Sequence, residues 1–309
     1  MPGLVAILCS GQGNQCQGMF DLLVDNDAAR PILATASAEL CEDVISLTQK
    51  GNGALFANRA AQILCCARTL AAWAALGEAR PQRVVLAGYS VGELAAWGCA
   101  GLLDAKATLR LTATRAALMD AAAPAASGMA GVVGLRREAL VSVMTRHQVQ
   151  IAIVNDIDSF VVAGITEALD ALCRDAIAAG ATRARRLNVA VPSHTTFLSS
   201  AVAPFAAALR DAAPRQPVSG RRLLSGIDAS SVLTVESGVD KLAQQIATQI
   251  DWAACLDSCL AAGATRALEL GPGNALSRMA ERVFGVGGAR AIDDFRTLEG
   301  VRAWLQHEN

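Results

Sequence analysis

The stretch LAGYSVGELAAW, Leu86 to Trp97, sets one serine between two glycines directly after an apolar run. Ser90 is either a nucleophile or part of a tight turn, and the flanks decide. RVVLAGYS reads as a buried strand and the residues after Gly92 as a helix, the setting in which G-x-S-x-G forms a nucleophile elbow. Small residues two positions to either side of Ser90 permit the strained turn. The elbow lifts the hydroxyl clear of the backbone and aims the free N–H groups of the helix N-terminus at an oxyanion. A strand, elbow and helix in this order belong to a sheet covered by helices, so the expected class is α/β.

Working outward, LVAILCSG near the start is a second buried strand ending in a glycine loop, so both strands deliver loops where α/β sites form. Between them FANRAAQILCCARTLAAWAALG has the apolar density and terminal glycine of a mostly buried helix. After the elbow, Val91 to Gly101 reads as one helix, GLLD as a turn, and Ala105 to Ala121 as a helix running back. At ~1.5 Å per residue the first helix descends about 15 Å, and the return regains that height in about ten residues, near Arg115. The guanidinium is therefore expected level with Ser90. Leu109, Leu111, Thr112 and Leu118 surround it, so it lies close to an apolar stripe and wants an anion. That anion is either a structural partner, Asp120 or Glu93, or a substrate carboxylate gripped in bidentate fashion.

From Met129 the texture changes to strand, helix, strand, strand, helix, strand: MAGVVGL, RREALVSVMTRH, VQIAIVN, SFVVAGI, TEALDALCRDAIAAG, ATRARRLNVA. This is the split βαβ order of a ferredoxin-like unit. The expected organisation is a large, discontinuous α/β-hydrolase-like domain with a parallel sheet over 1–127 and 192–309, and a small inserted subdomain over 128–191. Beyond it come a helix in TTFLSSAVAPFAAALRD, a loop in APRQPVSGRR, further helices, and a last strand and turn in ATRALELGPGNALSRMAER.

Composition narrows the function. With 53% hydrophobic residues and a formal net charge of −1, the chain can bury a large core and has no global pull towards nucleic acid. The nine cysteines sit mostly in apolar segments and read as reduced core thiols. Cys255 and Cys259 share a helical face, but no histidine or second cysteine pair stands nearby, so no metal site is expected. The start, MPGLVAILCSGQG, lacks the basic segment of a signal peptide. The longest uncharged run, Ala121 to Leu135, contains Pro124 and falls short of the ~18 apolar residues of a bilayer span. The expectation is a cytoplasmic protein without membrane association.

A serine hydroxyl at neutral pH needs a base, and the chain offers three histidines: His147, His194 and His307. His307 is close to the C-terminus, and His147 ends a polar helix and reads as solvated. His194, in VAVPSHTTF, stands where the small subdomain hands the chain back and can line a cleft. It is the candidate base; its alternative is a residue at a helix start.

Taken together, SGQGNQ at 10–15, GYSVGE at 88–93, Arg115, VPSH at 191–194 and LGPGN at 270–274 resemble the malonyl-CoA:acyl carrier protein transacylases over nearly the whole chain. The resemblance implies Ser90 as nucleophile, His194 as base, the backbone N–H groups of Gln12 and Val91 as oxyanion hole, and Arg115 as clamp for the malonyl carboxylate. It also implies that a glutamine oxygen orients the histidine, which aligns with Gln245, and that Asn155 matches an asparagine on the cleft side of the small domain. Two positions depart from the pattern: Ser10 replaces the usual proline before GQG, and Tyr89 replaces the usual histidine before the nucleophile. These, with GMFDLL and the ending AIDDFRTLEGVRAWL, look most like the epsilon subunit of malonate decarboxylase. That subunit would charge a carrier whose prosthetic group derives from dephospho-CoA.

The implied reaction is ping-pong transfer from malonyl-CoA to the thiol of an acyl carrier protein, with no cofactor beyond the CoA-type thioester substrate. Alternatives are a malonyl-CoA transacylase of fatty-acid or polyketide synthesis, a serine thioesterase or esterase, and a non-catalytic carrier-binding subunit. An esterase would carry an acid before its late histidine, and no convincing one precedes His194. A carrier is typically acidic, so Arg183 and Arg185 on one face of TRARR are candidate docking charges or merely a solvated strand edge.

Overall fold

The structure is a computed structural model that describes residues 3–51 and 53–306. Its first part contains β1 (Leu4–Cys9), α1 (Arg30–Leu40), α2 (Val44–Lys50), α3 (Asn58–Ala75), β2 (Val84–Gly88), α4 (Gly92–Ala100) and α5 (Ala105–Ala122). There follow β3 (Ser127–Val133), α6 (Arg137–Met144), β4 (Val149–Asp156), β5 (Ser159–Ile165), α7 (Thr166–Ala178) and β6 (Arg183–Arg186). The remainder comprises α8 (Val202–Asp211), β7 (Arg221–Leu223), α9 (Val235–Gln244), β8 (Ile250–Asp251), α10 (Trp252–Ala261), β9 (Ala264–Glu269), α11 (Ala275–Phe284), β10 (Ala289–Ala291) and α12 (Leu298–Gln306).

The main sheet has the order β10-β9-β1-β2-β7, and every neighbouring pair is parallel. Helices cover both faces, which is why β1 and β2 are apolar runs rather than alternating patterns. Cys9 of β1 pairs with Gly88 of β2, so the glycine loop and the elbow leave the carboxyl end of the sheet side by side. The Tyr89 N–H continues the ladder by donating to the Cys9 carbonyl at 2.9 Å.

The second sheet has the order β6-β3-β5-β4-β8; its first four strands are antiparallel and β8 joins parallel to β4. Its helices α6 and α7 bury a separate cluster that includes Leu140, Phe160, Val162, Leu169 and Leu172. The fifth strand comes from beyond residue 191, from the segment that follows α9. The fold is thus α/β, a parallel five-stranded sheet with a small mixed sheet beside it.

Two local readings need correction. The stretch 196–211 is not one helix: a 3-10 turn over Thr196–Ala201 ends at a kink, with Leu198 at φ −103°, and α8 starts afresh at Val202. Pro204 is the cause, because it lacks an N–H and would clash with the carbonyl four residues back, so it is tolerated only in a first turn. The region after Arg215 read as loop, yet Arg221–Leu223 forms an edge strand beside β2.

Candidate active site

The elbow is built on bare backbone. Ser90 holds φ at +57°, a left-handed conformation that costs a non-glycine residue about 1–3 kcal/mol. A Cβ on Gly88 would lie 2.1 Å from Glu93 Cα, and one on Gly92 would lie 2.0 Å from the Cys9 carbonyl oxygen. Only glycine lets β2, the turn and α4 close this tightly. Across the turn Gly92 donates to the Tyr89 carbonyl and Glu93 to the Ser90 carbonyl, both at 3.0 Å. Among the described residues, the N–H groups of Val91 and of Gln12, on the adjacent loop, meet no hydrogen-bond acceptor.

His194, also at a positive φ of 62°, is fixed by its own N–H on the Ile246 carbonyl at 2.8 Å. Its Nδ1 lies 2.6 Å from the Gln245 carbonyl oxygen and its Nε2 lies 2.7 Å from Ser90 Oγ. A carbonyl only accepts, so Nδ1 carries the proton and Nε2 presents its lone pair to the serine hydroxyl. Burial, together with the nearby Arg115 charge, pulls the imidazole down to about 3, so it is neutral in the resting site. The orienting group is a main-chain carbonyl and not a carboxylate.

Gln245, fully buried, ties the parts together. Its Nε2 donates to the Ser90 carbonyl at 3.2 Å and to Glu93 Oε2 at 2.6 Å, and its Oε1 accepts from Arg115 Nη2 at 3.2 Å. Arg115 Nη1 donates to Gln62 Oε1 at 2.7 Å, and its Nε has no partner. Neither acid considered from the sequence pairs with it. Asp120 accepts from Asn58, while Glu93 accepts from Gln245 and, at 3.0 Å, from the Gly226 N–H. Among the described residues no carboxylate forms a salt bridge with Arg115, which is only 1% exposed. Burial lowers its pKa to about 10 and raises that of Glu93 to about 7.

Asn155, on β4, accepts from the Tyr89 hydroxyl at 3.0 Å, and the Tyr89 ring packs edge-on against Trp252. Ser10 donates to Glu269 Oε1 at 2.6 Å. A cavity of about 360 Å³ opens beside them, with Gly11, Gln12, Asn14, Tyr89, Arg185 and Asn188 on its walls. The structure thus brings Ser90, His194, Gln245, Arg115, Gln12 and Val91 together beyond the carboxyl ends of the central strands β1 and β2, with Asn155 reaching in from the small sheet. Glu93, considered from the sequence as an ion partner of Arg115, joins the site through Gln245 instead; Gln62 was not anticipated, and its signal was a lone amide in the apolar run AAQILCC.

His147 is not solvated: it is half-buried, with Nε2 3.0 Å from Asp175. His307 lies outside the described residues. All nine cysteines are free, six of them buried, and among the described residues no helix is long and apolar enough to cross a membrane.

Comparison with known proteins shows the family of the chain. The family described as acyl transferase domain matches residues 7–262. The malonyl CoA-acyl carrier protein transacylase of Mycobacterium bovis is 31% identical over 294 residues, covering 94% of this chain and 96% of that protein. Its Escherichia coli K12 counterpart is 29% identical over 306 residues, with 94% and 96% covered. Among solved structures, a malonyl-transacylase in complex with a type II PKS acyl-carrier protein superposes with a TM-score of 0.87 at 28% identity, covering 97% of this chain and 99% of that one. An acyl carrier protein S-malonyltransferase from Vibrio cholerae gives 0.85 at 29% identity, with 96% and 99% covered. The chain belongs to the acyl transferase domain family and, within it, to the malonyl-CoA:acyl carrier protein transacylases.

Proposed function

We propose that the protein transfers a malonyl group from malonyl-CoA to the prosthetic thiol of an acyl carrier protein by way of a malonyl-Ser90 intermediate. The observation that carries the reading is Arg115, a buried cation held by two neutral amide oxygens and linked through Gln245 to the Ser90–His194 pair. A guanidinium that no carboxylate grips directly, beside a nucleophile, suits an acyl group that brings its own carboxylate.

His194 Nε2 takes the Ser90 proton as Oγ attacks the thioester carbonyl, and the oxyanion settles on the Gln12 and Val91 N–H groups. The C–S bond then breaks, His194 returns the proton to the leaving thiolate, and CoA departs. The carrier thiol enters, gives its proton to His194, attacks the malonyl-serine carbonyl, and Ser90 leaves with the proton restored. The imidazole, neutral because it is buried, is ready as a base at both attacks. Asn155, hydrogen-bonded to Tyr89, stands on the small-sheet side of the entrance as a substrate-positioning group.

Brief mixing with malonyl-CoA, acid quenching and mass analysis of the Ser90 peptide test the reading. The peptide is expected to gain one malonyl group, and Ser90→Ala to gain none; an unmodified wild-type peptide would overturn it.

A second reading keeps the chemistry and changes the acceptor to the carrier subunit of malonate decarboxylase. It is supported by Ser10 and Tyr89, which line the cavity where the family usually has proline and histidine. The named relatives favour the general acyl carrier protein. A higher kcat/KM with the decarboxylase carrier than with a fatty-acid carrier would select the second.

A further inference from the structure

The N–H of Gln12 is only as well placed as the loop that bears it. Residues 10–15 leave β1 and are held on several sides. A Cβ on Gly11 would lie 2.7 Å from the Tyr89 carbonyl oxygen, so the loop lies flush against the elbow. The Cys65 thiol donates to the Gly11 carbonyl at 3.3 Å. Gln15 accepts from the Gly13 N–H and donates to the Leu55 carbonyl at 3.1 Å.

The remaining tether ends on a carboxyl. Glu269, at the end of β9 and paired with Leu8 of β1, is fully buried and stands on the cavity wall with Ser10 and Gln12. Its Oε1 accepts from the Ser10 hydroxyl at 2.6 Å and its Oε2 from the Ser277 N–H at 2.8 Å. Burial pushes this carboxyl up to about 7 despite those bonds, so a buried acid is retained where an apolar residue would be less costly. Capping explains half of it. Asn274, at the start of α11, makes no side-chain cap bond, and Glu269 satisfies the Ser277 N–H in its stead. A cap needs one oxygen; the other is occupied by Ser10.

We propose that Glu269 is a positioning residue for malonyl transfer: through the Ser10 hydroxyl it fixes the loop that presents the Gln12 N–H to the oxyanion. The proposal rests on the Ser90 mechanism above, and its test separates the two.

Ser10→Ala leaves Glu269 on α11 and cuts only the tether to the loop. The rate of Ser90 malonylation is expected to fall about ten-fold, the effect of one lost charge-assisted hydrogen bond, with the malonyl-CoA KM nearly unchanged and the melting temperature lowered by a few degrees, because one oxygen of the buried carboxyl loses its partner. If Glu269 served only to cap α11, Ser10→Ala, which leaves the bond from the Ser277 N–H intact, would leave the rate as it was. Glu269→Gln keeps both contacts, because the amide oxygen accepts from Ser277 and the amide N–H donates to Ser10, whose hydroxyl also accepts. Its rate is expected within about three-fold of wild type, which is rescue by the conservative variant and does not depend on whether Glu269→Ala folds. If wild type shows no malonyl-Ser90, the mechanism fails. If wild type is malonylated and Ser10→Ala keeps its rate within two-fold, or Glu269→Gln is as slow as Ser10→Ala, the positioning role is overturned while the mechanism stands.

Discussion

The Arg115 guanidinium, 1% exposed, hydrogen-bonds to two neutral amide oxygens and makes no salt bridge among the described residues; Glu93, reached through Gln245, interacts with it only at longer range. If a malonyl carboxylate supplies a direct counter-ion, losing the arginine removes two charge-assisted hydrogen bonds in a partly dry site, roughly 2–5 kcal/mol. At about 1.4 kcal/mol per decade, Arg115→Ala is expected to lower kcat/KM for malonyl-CoA by about 30-fold to several thousand-fold. Arg115→Lys keeps the charge but loses the fork, and is expected to be clearly impaired as well. Acetyl-CoA has no carboxylate to lose, so its transfer should fall little in Arg115→Ala or improve. Equal losses with both donors, together with a lower melting temperature, would make the arginine structural and remove the main support for malonyl specificity. The residue-scale parts of the site differed in how far the sequence exposed them. Ser90 was legible from its flanks and His194 by elimination among three histidines. Gln62 was not, because a glutamine in a buried helix says nothing of its partner until α3 and α5 are packed together. The carbonyl of Gln245 that holds the imidazole is backbone, which no side-chain pattern encodes; the family resemblance alone pointed to this glutamine.

At the scale of elements, the strand–elbow–helix unit depends on approaches that no side chain can enter. A Cβ on Gly92 would sit 2.0 Å from the Cys9 carbonyl oxygen, well inside contact distance, so α4 and β1 would have to separate. Gly92→Ala is therefore expected to destabilise by about 1–3 kcal/mol or more, as overpacking does, and to slow Ser90 acylation because the N–H of Val91 moves with the turn. Gly53→Ala is the control, since a Cβ there meets nothing within 4 Å. Urea midpoints compare them; a Gly92→Ala midpoint no lower than that of Gly53→Ala would show that the close approach relaxes at no cost. The elements carrying the site were readable because each has a strong local signature: buried runs for β1 and β2, a capped helical hairpin for α4 and α5, alternating strands and helices from β3 to β6. The edge strands β7, β8 and β10 were not, being two or three residues long and defined only by the neighbour they pair with. The break before α8 was written in Pro204, whose meaning depends on where the new helix begins.

On the scale of the whole molecule, the two sheets meet around the nucleophile. β8 adds to the small sheet, Tyr89 reaches Asn155, and Arg282 on α11 contacts Asp156 of β4 at 3.6 Å and Asp257 of α10 at 3.1 Å. The cavity at Gln12 lies at this junction, with the β6 edge on its small-sheet side, Arg185 and Arg186 standing on the wall. If the carrier thiol of the proposed reaction reaches Ser90 by way of this cavity, the charges of that rim face the carrier. Arg183 and Arg185 are exposed and, among the described residues, form no salt bridge, whereas Arg186 is half-buried and 3.5 Å from Asp170. Unpaired rim charges steer an acidic partner and are screened by salt. Each exposed pair is worth about 0.2–1 kcal/mol. Reversing both arginines to glutamate replaces attraction with repulsion, so the carrier KM is expected to rise by about ten-fold at low salt. The increase should shrink as salt is added, because screening weakens the wild-type attraction and the variant repulsion alike. Arg185 also borders the cavity, so Arg183→Glu alone is the cleaner arm: it should raise the carrier KM several-fold while leaving the rate of Ser90 malonylation by malonyl-CoA as it was. If neither the carrier KM nor its salt dependence changes in the double variant, the β6 edge is a solvated strand edge and the carrier docks elsewhere.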